Sequence, residues 1–419
     1  MPAIITKDFR IQNANQFKES FDESADTYYL AIGRPQAFAN DQAFNDGTDT
    51  SPPTPVDSVG SVDYYVYDDL MSAKKITSSN VSAVIPRRNW TTGTTYDYYR
   101  HDYGEINSAG SAIAANSGAT TLHDATFYVM NSTFDVYKVI DNNGDSASTV
   151  EPSGNKTTSV FSTGDSYKWK YMYTLTASEQ ANFMSTDFIH CSTESTDYST
   201  TAGAIENAKV TAGGSGGTNG TYTNVDIRGD GSSGKCTVVV SSNAVTSVTI
   251  TTAGSGYTFA SVLASDIGTV SGADIDFIIS PPGGHATDVI AELGGFFVMM
   301  NVDFATDESG EFNTSNDFRR IALLRNPTDS TTGATATAST LDATKSITFS
   351  GTPGAFQADE KITQASTGAV GYVVDFNSTT KVLRYIQPQF ANQGIDTNQN
   401  VTAFSGTNTV TGGTSSATG

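Results

Sequence analysis

Residues Tyr167–Leu175, YKWKYMYTL, constrain the fold more than any other stretch of the chain. Successive residues of a strand point to opposite sides. Tyr167, Trp169, Tyr171, Tyr173 and Leu175 therefore share one face, and Lys168, Lys170, Met172 and Thr174 share the other. A face that aromatic has to be covered, by the chain's own core or by another subunit. The same strand chemistry, short runs of Val, Ile, Tyr and Thr bounded by Gly, Asn, Asp or Ser, recurs along the chain. It appears at Tyr64–Tyr67, Thr126–Val129, Val136–Ile140, Val238–Val240, Val245–Ile250, Ile275–Ile279, Phe296–Val302, Ile321–Leu324, Gly371–Phe376 and Val382–Ile386. Helical signals are few. Lys7–Ser24 sets Phe17 and Phe21 four residues apart, Thr176-Ala-Ser-Glu179 is a capping-box pattern ahead of Gln180–Met184, and a third candidate runs through Asp68–Ala73. Many short strands without interleaved helices predict a mainly β protein, with a β-sandwich core and a few short helices.

With 419 residues the chain can bury more than one core, and two to four domains are expected. Composition shifts near Ala202, where the sequence turns Gly/Ser/Thr/Val-rich and almost loses Lys and Arg until about Pro282. Within that block AGGSGGTNGTY (Ala212–Tyr222) is echoed by AGSGYT (Ala253–Thr258). The expected organisation is a core beginning in 1–203, an inserted Gly/Ser/Thr-rich β module at 204–285, a return to the core sheet at 286–328, and a C-terminal Thr/Gly-rich β module at 329–419. The closing GTSSATG is low in complexity, so the last strand pairs are expected to be incomplete or frayed.

Charge and motifs exclude most chemistry. A net charge of −21 disfavours partners such as nucleic acid or an anionic membrane, which require a basic face. Nowhere do about 18 apolar residues run together, as a membrane span requires, and MPAIITKDFR lacks a secretory pattern. Cys191 and Cys236 cannot form a disulfide framework, which suits folding in a reducing cytoplasm. Gly229–Cys236, GDGSSGKC, approaches a phosphate-binding loop but has Cys236 at the Ser/Thr position and leads into a strand. Arg228-Gly229-Asp230 is a chance-level adhesion tripeptide, and Asp141–Asp145 lacks the Gly and Glu positions of a calcium loop. Asp303, Asp307, Glu308 and Glu311 read as a solvated hairpin tip rather than a cation site. The four histidines are scattered, and His190 and Cys191, as strand neighbours, face opposite ways. No catalytic residue, metal or cofactor emerges; the chain reads as a non-enzyme.

A different kind of signal lies in Val84–Trp90, VIPRRNW. It concentrates Pro86, Arg87, Arg88 and Trp90 in a chain with only 23 basic residues. Arginine forks serve carboxylates of the same chain or of a partner, and Arg and Trp are common interface anchors. Together with YLAIGRP (Tyr29–Pro35), SPPTPVDSV (Ser51–Val59), TGDSYKWKYMYTL (Thr163–Leu175) and NDFRRIALLRNP (Asn316–Pro327), this segment resembles the dimeric, β-rich baseplate wedge subunit of T4-like contractile-tailed phages. The motifs follow the family's order and cover roughly residues 1–200 and 286–328. The resemblance implies a structural protein of the virion tail baseplate, assembled in the host cytoplasm. It further implies a homodimer, with two copies of the chain in each of six wedges, bound to other wedge proteins and repacking on tail contraction. Arg34, Pro86, Arg87, Arg88, Trp90 and Trp169 match the family pattern and are the expected interface residues. The 204–285 and 329–419 blocks depart from the family, and its closing strands are not legible. Their Tyr, Thr and Gly content leaves an alternative, a carbohydrate-binding adhesin or tailspike-like protein with glycan as partner. Such proteins usually carry long trimeric repeats, and this chain has none. A glycan-cleaving enzyme is a weaker third reading.

Overall fold

The structure is a computed structural model that describes residues 6–33, 51, 70–106, 110–154, 156, 160–191, 201–304, 318, 321–329, 332–337, 340–341, 344–387, 394–397 and 401–419. It is mainly β, with three α-helices among the described residues. Helix α1 (Lys7–Glu19) precedes β1 (Tyr28–Gly33), β2 (Leu70–Ile76), β3 (Val81–Pro86), β4 (Tyr128–Met130), β5 (Asp135–Asp141), β6 (Phe161–Ser162) and β7 (Lys168–Thr174). Then come α2 (Ala177–Phe183), β8 (Phe188–His190), β9 (Ile205–Ser215), β10 (Gly220–Asp226), β11 (Arg228–Gly229), β12 (Lys235–Ser241), β13 (Ala244–Thr252), β14 (Ala260–Ser261) and β15 (Ser271–Ile279). The chain continues through α3 (Val289–Leu293), β16 (Phe297–Met300), β17 (Ile321–Arg325), β18 (Lys345–Thr348), β19 (Lys361–Gln364), β20 (Ala369–Asn377), β21 (Val382–Ile386) and β22 (Thr411–Gly412).

Two compact units result: Met1–Glu19 with Val81–Asn301, and Ser20–Asn80 with Val302–Gly419. In the first, the antiparallel sheet β4-β5-β7-β6 and the sheet β16-β3-β8 feed one hydrophobic core. That core holds Ile85 and Ile189 from one sheet and Val136, Val139, Trp169 and Met172 from the other. Helix α1 adds Ile11 to it. The capping box forms as the sequence predicts, with Glu179 N donating to Thr176 Oγ1 (3.2 Å) and Thr176 N donating to the Glu179 carboxylate (2.7 Å).

The 204–285 block lies wholly inside the first unit and has a hydrophobic cluster of its own, from Ile205 to Ile279. Three of its glycines, Gly229, Gly231 and Gly234, pack against one ring. Tyr257 Oη donates to Ile227 O (3.0 Å) and accepts from Gly234 N (3.1 Å). A Cβ on Gly231 would sit 2.4 Å from the Tyr257 ring, so the backbone can approach only because the side chain is missing. The GDGSSGKC loop runs into β12, which begins at Lys235, so no helix is available there to receive a phosphate.

The second unit contains the sheets β17-β1-β2 and β18-β21-β20-β19-β22. Here two expectations are corrected. The helix expected through Asp68–Ala73 is absent where the structure describes that stretch: Leu70–Ile76 is strand β2, paired antiparallel with Tyr28–Gly33. Pairing with a buried aromatic strand outweighs a local helical preference worth tenths of a kcal/mol per residue. The C-terminal residues are not frayed either. Val410 and Gly419 exchange backbone hydrogen bonds (3.0 and 3.1 Å), and the buried Glu360 carboxylate accepts from Thr414 N (3.0 Å) and Ser415 N (2.8 Å). A single buried acid thereby organises a low-complexity tail. The 329–419 block has its own cluster, from Phe349 to Ala417. Tyr64–Tyr67, Asp307, Glu308 and Glu311 lie outside the described residues.

Candidate functional site

Strand β7 shows how the core is built. Its aromatic face is buried within its own unit: Trp169 is 0% exposed, stacks on Tyr167 (ring centroids 5.3 Å apart) and donates from Nε1 to Thr163 Oγ1 (3.0 Å). The opposite face is covered as well. Lys170 and Met172 are both 0% exposed. In the β5–β7 register Lys138 lies directly across from Lys170, two buried ammonium groups on neighbouring strands. Like charges so placed repel, and each finds an acid brought in from later in the chain. Lys170 Nζ binds Glu206 Oε1 of β9 at 2.8 Å. Lys138 Nζ binds Glu292 Oε1 of α3 and His285 Nδ1, and sits 4.3 Å from the centre of the Tyr99 ring.

The Glu292 carboxylate also accepts from Ala286 N (2.6 Å), which closes the 285–292 turn on itself. Burial alone would raise the pKa of Glu292, but the Lys138 charge and the His285 hydrogen bond outweigh it, so the carboxyl stays ionised. Burial lowers the Lys138 pKa against the pull of Glu292. Burial, then the neighbouring Lys138 charge, lowers that of His285. Two lysines and two glutamates balance within this site. No sequence motif announced it. The available signal was Lys138, Lys168 and Lys170 in strands otherwise made of apolar and aromatic residues.

The double-arginine corner is built by β3 and the turn after it. Arg87 donates from Nε to Asn89 Oδ1 (3.0 Å) and from Nη1 to Ser185 O (2.9 Å). Arg88 donates to Ala125 O, and its guanidinium lies 4.6 Å from the centre of the Tyr128 ring. Tyr128 Oη in turn donates to Pro86 O (2.7 Å). Among the described residues, these guanidinium groups are held by carbonyl and amide oxygens of their own chain instead of carboxylates.

Trp90 Nε1 donates to Ser148 Oγ (3.1 Å), and Ser148 Oγ donates to the Asp165 carboxylate (3.1 Å). The structure thus joins the VIPRRNW and TGDSYKW segments through Ser148. Asp165 also accepts from Thr163 Oγ1, Val150 N (3.0 Å) and Thr149 N (2.7 Å); these bonds outweigh its burial and keep its pKa low. Trp90 is half-buried and Trp169 enclosed, in different parts of the core rim and interior. Arg34 lies outside the described residues.

Reactive groups are muted. Cys191 is buried and its thiol is pushed up by burial, while His190 accepts or donates with Ser82 Oγ (2.5 Å) and faces Glu179 (3.1 Å). Arg228 and Asp230 are both engaged internally, Arg228 with Asp266 (3.4 Å) and Asp230 with Thr258 N (2.8 Å).

The arginine corner falls within the part of the chain that a known family matches. The family model described as bacteriophage T4, Gp8, matches residues 3–151. Residues 3–151 are Gp8-like. The Gp8-like region includes Arg34, Pro86, Arg87, Arg88 and Trp90 and ends before β7 and Trp169. Among curated proteins, the baseplate wedge protein gp8 of Enterobacteria phage T4 is 26% identical over a 215-residue alignment, which covers 45% of this chain and 60% of that protein. The resemblance to a baseplate wedge subunit, drawn from five ordered motifs, is thus supported by both comparisons.

Proposed function

We propose that this chain is a structural subunit of a phage tail baseplate wedge, located in the virion tail and working by assembly rather than catalysis. The Gp8 match over residues 3–151 carries the reading. The site geometry supports it, because the ionisable groups of the core are spent on one another: Lys138 on Glu292, Lys170 on Glu206. Groups so engaged hold strands in register and offer no free acid–base pair to a substrate.

The subunit pairs with a second copy and with other wedge proteins, and its contacts repack when the tail contracts. The 204–285 and 329–419 blocks, each with its own apolar cluster, are additions to the wedge core. Arg87 and Arg88, half-buried at the corner, contribute to the interface through the donors their own carbonyl partners leave over. Sedimentation equilibrium of the purified chain tests the pairing. Twice the 44.1 kDa chain mass is expected. A monomer at tens of micromolar refutes the homodimer, and a threefold mass points to a fibre or spike instead. Charge reversal at Arg87 and Arg88 should return the dimer to monomer, and Arg87→Lys/Arg88→Lys, which keeps a donor for Ser185 O and Ala125 O, separates loss of pairing from loss of the corner.

A further inference from the structure

The buried lysine pair ties two distant points of the chain to one sheet. Glu206 stands near the start of β9, and His285 and Glu292 follow the end of β15, so the acids that neutralise Lys170 and Lys138 bracket the whole 205–279 stretch. Strands β9 and β15 pair with each other, from Ser271↔Ser215 to Ile279↔Ile205, and form the root of that stretch. The root is therefore held on the β5–β7 sheet by charge as well as by packing. We propose that the 285–294 turn, with His285 at its start, is an acid-released latch that fixes this root to the sheet.

His285 is 0% exposed and is enclosed by charged or polar groups from every element around it. Lys138 on β5 lies at Nδ1, Glu292 on α3 lies 2.9 Å from Nδ1, and Glu206 on β9 lies 3.7 Å from Nε2. Lys170 on β7 faces Glu206, and the Tyr99 ring packs edge-on with centroids 5.2 Å apart. Nδ1 meets the Lys138 ammonium and the Glu292 carboxylate together, so the ammonium in contact with the ring favours its uncharged form. Protonating the imidazole sets a second buried cation against the Lys138 ammonium. The two cations then repel across the contact they share beside Glu292. Relief comes from opening the turn and hydrating His285, which frees Glu292 from Ala286 N.

The sign follows from the depressed His285 pKa. The opened state binds a proton near the ordinary value of about 6.5 while the closed state does not. The latch is fully engaged above about pH 6.5 and weakens as pH falls through that value toward the closed-state pKa. Glu206 and Glu292, also depressed, add loss of the same sign only below the ordinary carboxylate range. One proton taken up on opening gives an opening equilibrium that rises by up to about tenfold between pH 7.5 and 5.5.

Hydrogen exchange on the full chain, corrected for intrinsic rates, reads this in peptides spanning 281–296. There Ala286 N donates to Glu292 (2.6 Å), Glu292 N to Asp288 O (2.9 Å) and Gly294 N to Ile290 O (3.0 Å). Opening that increases at least threefold between pH 7.5 and 5.5, while the β12–β13 hairpin stays constant, supports the latch. A change under threefold in 281–296, or an equal change in β12–β13, overturns it. His285→Gln should make 281–296 insensitive to pH over the same range. If that variant does not fold, the wild-type profile alone decides the outcome. None of these outcomes depends on whether the chain is a wedge subunit.

Discussion

Replacing Lys138 with Met tests whether the buried lysine pair is held as charges. The substitution conserves length and apolar volume, removes the ammonium, and relieves its repulsion of Lys170 across the strand pair. It also leaves the Glu292 carboxylate, 4% exposed, with Ala286 N and His285 for partners and no cation in direct contact. Stripping one partner from a buried ion pair costs about 3–5 kcal/mol, because the survivor stays desolvated. Urea unfolding followed by tryptophan fluorescence isolates the relevant unit, since Trp90 and Trp169 both belong to the first compact unit. At a slope of about 3 kcal/mol per molar, the midpoint should fall by roughly 1–1.7 M. The decisive comparison is Lys138→Met/Glu292→Gln, in which a neutral amide still accepts from Ala286 N. The double variant should regain most of the loss, giving a coupling energy of about 2 kcal/mol or more. A single variant within about 1 kcal/mol of wild type, or a double variant no more stable than the single, would show that Lys138 and Glu292 are not a charged pair.

Two further expectations follow from single contacts. Gly231→Ala places a methyl group 2.4 Å from the Tyr257 ring and should destabilise the 204–285 block by about 1–3 kcal/mol, visible as faster hydrogen exchange in β10–β15. A native-like exchange rate there would mean the ring has room to move. Glu360→Gln weakens an acceptor for Gln357 N (2.7 Å), Thr414 N (3.0 Å) and Ser415 N (2.8 Å), so exchange at residues 410–419 should accelerate. The Glu360 pKa is lowered, burial being outweighed by these donors, so the wild-type tail should also loosen as pH falls below the carboxylate range.

Periodicity made much of this fold legible in advance. Val382–Ile386 is a strand over the residues expected, Tyr167–Leu175 contains β7, and Thr176–Glu179 forms the capping box. These features are local: alternation of faces and a four-residue cap depend on neighbours in sequence. The error at Asp68–Ala73 has the complementary cause, a segment whose conformation is dictated by a strand about 40 residues earlier. The arginine corner was visible as a cluster, yet its partners, Ala125 O, His123 O and Ser185 O, are backbone atoms that leave no side-chain signature.

The sequence by itself determined that this chain is mainly β, that it concentrates arginine and tryptophan at VIPRRNW, and that it resembles baseplate wedge proteins. Composition, alternation and motif order are properties of the one-dimensional string. Only the tertiary structure decided what covers the two faces of β7 and which acids meet Lys138 and Lys170. Glu206 and Glu292 lie 36 and 154 residues from the lysines they neutralise. Nothing in 44 scattered acidic residues marks those two beforehand. A buried charge selects its partner through the desolvation cost of having none, and that cost exists only once the sheet has closed around it.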